Sequence, residues 1–167
     1  MSRKALIVED EPHTGQLLAM ILRRKGFEPT VLEQGKGAVE WVRTNLPEVI
    51  LLDLMLPDIS GYDICQQLKL DRQTNLIPIV IVTALVAHED VIHGLQVGAN
   101  CYLTKPFELE QLEQAVDEAV KGRQALERSG TDGEIHFQLS SDIQYLEELN
   151  RLLSSLYAHT GLSEEQS

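Results

Sequence analysis

The sequence predicts an α/β fold: a doubly wound, five-stranded parallel sheet with helices on both faces. Three observations predict it. Short apolar runs alternate with longer amphipathic stretches along most of the chain, the pattern of strand–helix–strand crossovers. Val49-Ile50-Leu51-Leu52 and Ile79-Val80-Ile81-Val82 are unbroken apolar runs, as strands become when both sheet faces are covered. Four of the runs also end in polar residues suited to chemistry: Glu9-Asp10, Asp53, Thr83 and Thr104-Lys105.

The elements follow in order. Ala5-Leu6-Ile7-Val8 reads as the first strand. Pro12 suits the first turn of a helix, where its missing N–H costs nothing. Leu17, Leu18, Ile21 and Leu22 recur at helical spacing. Arg23, Arg24 and Lys25 complement the dipole of the last turn, and Gly26 stops it. Pro29 to Glu33 reads as a second strand. Ala38, Trp41, Val42 and Leu46 form a second helix closed by Pro47, and Val49–Leu52 the third strand. Pro57, Ser60 and Gly61 mark a loop before a helix carrying Ile64, Cys65 and Leu68. Ile79–Val82 is the fourth strand. Val91, Ile92 and Leu95 lie on a fourth helix stopped by Gly98. Cys101-Tyr102-Leu103 is a short fifth strand, and Leu109, Leu112, Val116, Ala119 and Val120 mark a fifth helix.

Residues 1–123 are thus expected to form one domain, 124–133 a linker with Gly130, Asp132 and Gly133, and 134–167 an appended strand and helix. Ile135 to Leu139 alternates like a half-exposed strand, and Ser141 with Gln144 fits a capping box. Ile143, Leu146, Leu149, Leu153 and Leu156 then share one helix face.

Composition narrows the function. An apolar share of 43% in 167 residues allows a real core. A net charge of −12 argues against non-specific nucleic-acid binding, which needs a basic face. Cys65 and Cys101 form no C-x-x-C pair and read as reduced thiols. The N-terminus has no signal-peptide core. The longest apolar stretch, Ile77 to Ala87, contains Pro78 and Thr83 and is too short to span a bilayer. The expectation is a cytoplasmic protein that contacts neither nucleic acid nor membrane.

In a parallel sheet all strands point one way, so Glu9, Asp10, Asp53, Thr83 and Lys105 gather along the carboxyl edge, where such folds bind ligands. Three carboxylates together need a counter-charge. An all-oxygen acidic site suits a hard ion such as magnesium. A carboxylate can attack phosphorus to give an aspartyl phosphate, a reaction that needs mainly positioning and charge stabilisation. Lys105 supplies one cation, and the Thr83 hydroxyl can donate to a phosphoryl oxygen. Gly35-Lys36-Gly37 lacks the spacing of a phosphate-binding loop and reads as a flexible start to the second helix. His13, His88, His93, His136 and His159 show no ligand spacing, and Trp41 belongs to the core.

Val8-Glu9-Asp10-Glu11, Leu51 to Asp58, Val82-Thr83-Ala84 and Tyr102 to Phe107 together resemble the receiver domain of two-component response regulators over roughly residues 3–123. The resemblance implies the flavodoxin-like strand order 2-1-3-4-5. It makes Asp53 the phosphoacceptor, with Mg2+ (or Mn2+) bound by Asp10 and Asp53, by Glu9 through water and by the Met55 backbone carbonyl. It implies that Thr83 and Lys105 stabilise the phosphoryl group, that Lys105-Pro106 is cis, and that Thr83 and Tyr102 form the switch pair. The donor would be a sensor histidine kinase or phosphotransfer protein. The surface of the fourth helix, fifth strand and fifth helix would change its affinity for a downstream protein partner or output domain. That surface, or the C-terminal helix, would also serve a homodimer. Met55 and Leu85 match the sites flanking the attacking water in this family, and both are apolar, which implies slow self-dephosphorylation.

The segment from Gly133 to Gln166 is similar to the opening strand and helix of anti-sigma-type serine kinases of the histidine-kinase-like ATPase superfamily. The ATP-binding helix and lid of that superfamily are absent, so ATP binding does not carry over. Three readings compete: a phospho-switch module that is not itself an enzyme, the receiver half of a regulator with a serine kinase- or phosphatase-type output, and a non-phosphorylated pseudo-receiver scaffold. A complete acidic pocket favours the first over the third. A hydrolase working through an aspartyl phosphate would carry an Asp where Met55 stands.

Overall fold

The computed structural model describes residues 2–129; the strand and helix read in 134–167 lie outside the described residues. In chain order the elements are β1 (Arg3–Val8), α1 (Pro12–Arg24), β2 (Phe27–Leu32), α2 (Ala38–Asn45), β3 (Val49–Leu52), α3 (Gly61–Leu70), β4 (Ile79–Thr83), α4 (His88–Gln96), β5 (Cys101–Thr104) and α5 (Leu109–Ser129). The five strands form one parallel sheet in the order β2-β1-β3-β4-β5, in agreement with the expected order.

Side-chain alternation divides the apolar residues between two cores. Ala5, Ile7, Leu51, Val80 and Val82 face α1 and α5, where Leu18, Ile21, Leu22, Leu112 and Val116 close over them. Leu6, Val8, Ile50, Leu52, Ile79 and Ile81 face the other way, against Ala38, Val42, Ile64, Cys65 and Leu68. β3 and β4 are buried at every position. Each large apolar side chain so enclosed contributes about 1.5–3 kcal/mol.

Several boundaries differ from the sequence reading by a residue or two, and two of the differences have a clear cause. β2 begins at Phe27 rather than Pro29, because Gly26 takes a positive φ of 81° and turns the chain directly into the sheet. Phe27 is then covered by the Arg3 guanidinium, 4.0 Å from its ring centroid. Pro29 is tolerated because β2 is an edge strand. α5 continues through Ser129, into the segment read as a linker. Its extra turns carry an Arg123–Glu127 ion pair at 2.8 Å and a bond from Arg123 to the Pro47 carbonyl.

The chain runs from β1 outward to β2, then crosses back to β3 on the other side of β1. That reversal opens a crevice at the carboxyl ends of β1 and β3, immediately before Glu9 and Asp53.

Candidate functional site

Three strand ends supply the acids and the cation. Glu9 and Asp10 follow β1 and Asp53 follows β3, with the Asp53 amide donating to Val8 O at 2.9 Å. Ligand oxygens of Glu9, Asp10 and Asp53 lie within 4.8 Å of one another. Lys105 follows β5, its amide bonded to Thr83 O at 2.7 Å. Its ammonium reaches back across β4 to donate to Glu9 Oε2 at 2.6 Å and Asp53 Oδ2 at 2.9 Å. The Lys105–Pro106 bond is cis.

Both oxygens of each buried carboxylate are held. Asp53 Oδ1 accepts from the Met55 amide at 3.0 Å while Oδ2 takes the Lys105 ammonium. Glu9 Oε1 accepts from the Glu11 amide at 3.1 Å and Oε2 from Lys105. Burial pushes the Glu9 carboxyl above the ordinary glutamate range, although Lys105 and the Glu11 amide pull the other way. Burial also works against the charge on Lys105, but its bonds to Glu9 and Asp53 prevail and hold the ammonium's pKa above 10.5. Asp10 is the exposed member of the cluster. Helix capping does not consume it: Glu11 is the N-cap of α1 and accepts from the His13 and Thr14 amides.

The donor set fits a hard divalent cation. It is all oxygen, close enough to converge, and over-charged for a site without one. Glu9, Asp10 and Asp53 supply the carboxylate oxygens that such an ion would meet, and Asp10 is the one among them exposed to solvent.

The remaining residues of the sequence reading divide. Thr83 ends β4, fully buried, with Oγ1 accepting from the Leu85 amide at 3.4 Å. The Met55 side chain is exposed at 55%. Tyr102 packs against the core that holds Leu6, Ile50 and Ile81, and its hydroxyl donates to the Leu85 carbonyl at 3.1 Å. Leu85 therefore bonds to both residues of the expected switch pair.

Sequence reasoning missed four supporting residues. Glu11 has been described. Gly61 packs so closely on the acidic loop that a Cβ there would lie 2.3 Å from Asp53 O and 2.7 Å from Leu54 Cα. Gly94 leaves room for the Tyr102 ring, which a Cβ would approach to 2.8 Å. Asp58 accepts from the Gly35 amide at 2.9 Å and the Lys36 amide at 2.7 Å. Gly35-Lys36-Gly37 is thus pinned by a carboxylate of the β3–α3 loop, where the sequence reading expected a flexible segment. The Ser60-Gly61 pair before an apolar helix was a readable signal for α3, where Ser60 is the N-cap. Nothing local marks the partners of Asp58 or Gly94.

Residues 5–117 match the response regulator receiver domain family. The "DNA-binding response regulator MtrA" of Mycolicibacterium smegmatis is 39% identical over 112 residues, which cover 67% of this chain and 48% of MtrA. The "Transcriptional regulatory protein BaeR" of Escherichia coli O6:H1 is 43% identical over 104 residues, covering 62% of this chain and 42% of BaeR. The chain spans about half the length of the curated relatives it matches. Among solved structures, the BeF3-activated N-terminal receiver domain of Klebsiella pneumoniae RstA is similar with a TM-score of 0.65 and 30% identity, over 71% of this chain and 98% of that one. The receiver domain of the sensor histidine kinase PA1611 of Pseudomonas aeruginosa PAO1, solved with a magnesium ion in its active-site cleft, has a TM-score of 0.66 and 28% identity, over 72% and 99%.

Proposed function

The chain belongs to the response regulator receiver family, and on that premise we propose that Asp53 accepts a phosphoryl group from a phosphohistidine of a sensor kinase or phosphotransfer protein. Asp53 forms the new O–P bond as the P–N bond to the donor imidazole breaks. The observation that carries this reading is the acid cluster with an ammonium 2.9 Å from Asp53. The Met55 amide and Lys105 hold the carboxylate in one orientation. Lys105 then shifts its charge onto the phosphoryl oxygens, and the Thr83 hydroxyl turns from Leu85 to donate to one of them.

Asp10, Asp53, the Met55 carbonyl and, through water, Glu9 would hold magnesium or manganese, which would supply positive charge beside the transferring group. Withdrawal of Thr83 toward the phosphoryl group and adjustment of Tyr102 behind it alter the α4-β5-α5 surface. That surface binds the downstream protein or a second copy of the chain.

The receiver reading makes the chain a phosphoacceptor rather than an enzyme acting on a separate substrate. Residues 1–123 would constitute the receiver, 124–133 a linker, and 134–167 part of an output segment, with a serine kinase- or phosphatase-type output as the alternative. MtrA is named as a DNA-binding regulator; for this chain, with a net charge of −12, a protein partner is proposed. Among the described residues no helix is long and apolar enough to cross a membrane.

Acetyl phosphate or phosphoramidate labelling with magnesium, read by intact mass, tests the proposal. One phosphoryl adduct is expected on the wild type, none on Asp53→Ala, and none after chelation. An adduct that persists in Asp53→Ala overturns it.

A further inference from the structure

Helix α4 is lightly attached. It is nine residues long, its N-cap Ala87 makes no side-chain capping bond, and Gly94 is its one buried residue. Val91, Ile92 and Leu95 are only half-buried, and no residue of the neighbouring β5 is fully buried. A helix this short is marginal on its own, so outside contacts must set its position.

Tyr62, in the first turn of α3, supplies such a contact. Its hydroxyl donates to the Asp90 carbonyl at 3.1 Å and lies 3.4 Å from Asp90 Oδ1. Its ring meets the His93 ring with centroids 4.2 Å apart and planes tilted by 54°. The Tyr102 ring in turn sits against Gly94, on the same helix. One side chain of α3 thus touches α4 at two points, Asp90 in its first turn and His93 in its last.

We propose that Tyr62 is a positioning residue of the phospho-switch: it clasps α4 to α3, so that movement of the Tyr102 ring and movement of α4 are coupled. The seat of Tyr102 is built partly from α4, through Gly94, so the ring fits only while α4 keeps its distance from β5. The bond from Tyr62 to Asp90 ties the first turn of α4 to α3 and so helps to set that distance. Without the hydroxyl, α4 loosens whether or not Tyr102 is seated, and phosphorylation has less left to change. This inference rests on the receiver reading of Asp53. It adds a second tyrosine, which the Thr83–Tyr102 pair does not include.

Amide hydrogen exchange on the full chain, with and without acetyl phosphate and magnesium, tests it. Tyr62→Phe keeps the ring on His93 and removes the hydroxyl. The expected result is normal phosphoryl labelling and an α4 that exchanges about five-fold faster before labelling, the worth of one hydrogen bond. The difference in α4 exchange between labelled and unlabelled protein should also shrink, with exchange in α1 and α5 unchanged. His93→Ala, which keeps the hydroxyl, should retain most of the labelling-dependent difference. Equal α4 exchange in wild type and Tyr62→Phe, or acceleration spread evenly over all helices, overturns the clasp. A wild type that takes no adduct overturns the phosphoacceptor reading instead, and the unlabelled comparison still decides whether Tyr62 holds α4.

Discussion

The Lys105 ammonium donates to Asp53 Oδ2 at 2.9 Å although their strands, β5 and β3, are separated by β4. The long side chain spans that gap and reaches Glu9 as well. It therefore occupies, as a resident cation, part of the charge deficit that a divalent ion would fill. Lys105→Met is expected to raise the affinity for Mn2+ several-fold, measured by calorimetric titration, because a competing positive charge is removed. It should also lower stability without metal, since Glu9 and Asp53 then face each other unscreened. Because the folded-state pKa of Lys105 lies above 10.5, this contribution is fully present below 10.5 and is lost as pH rises through the folded value. The stability gap between wild type and variant should therefore stay constant through neutral pH and close only in strong alkali.

Gly61 predicts a steric outcome. A Cβ at this position would stand 2.3 Å from a backbone oxygen and 2.7 Å from a backbone carbon of the loop carrying Asp53. Backbone atoms cannot rotate aside as a side chain does. Gly61→Ala should cost at least about 2 kcal/mol in urea denaturation. It should also lower the phosphoryl adduct in the fraction that stays folded, because the Asp53 carbonyl must shift.

Lys69 is a structural counterpart of Lys105 at the other end of the sheet. Its ammonium donates to Asn75 O at 3.1 Å, Ile77 O at 2.8 Å and Asn100 Oδ1 at 3.0 Å, and Asn100 Oδ1 also accepts from the Ile79 amide. Lys69→Met should destabilise by about 2 kcal/mol by leaving these acceptors without their donor. Burial, reinforced by Arg123, pushes the Lys69 pKa down to about 8 from 10.5. The cost of burying its charge is fully present below about 8 and is relieved between about 8 and 10.5, where the unfolded chain alone keeps the proton. The stability gap between wild type and variant should widen with pH across that window.

Met55 bears on lifetime. Its amide is bonded to Asp53 Oδ1 while its side chain projects into solvent, apolar and unable to orient water. Met55→Asn should shorten the half-life of the phosphoryl adduct about five-fold, as one added hydrogen bond to the attacking water would. Mass spectrometry at successive times after removal of the donor checks this; an unchanged half-life counts against it.

The acidic cluster was readable before any coordinates because a parallel sheet sends every strand end to one edge, so the order of short apolar runs already placed Glu9, Asp10, Asp53 and Lys105 together. The same logic does not reach residues whose partners come from other loops. Asp58 and Gly35 are 23 positions apart, and no periodicity links them; a glycine-rich stretch that read as flexible is in fact tied down. Gly94 carries no signal in the sequence, and only the Tyr102 ring beside it explains its place.

By itself the sequence determined the alternation of strands and helices, the two-sided core and the identity of the groups at the carboxyl edge, because burial periodicity and strand polarity are local properties of the chain. Tertiary structure alone decided that Lys105 bridges two acids, that Glu11 rather than Asp10 caps α1, and that Tyr62 of α3 bonds to Asp90 of α4. Those outcomes depend on which side chains come within hydrogen-bonding distance, about 3 Å, and that is settled only when separate elements pack against one another.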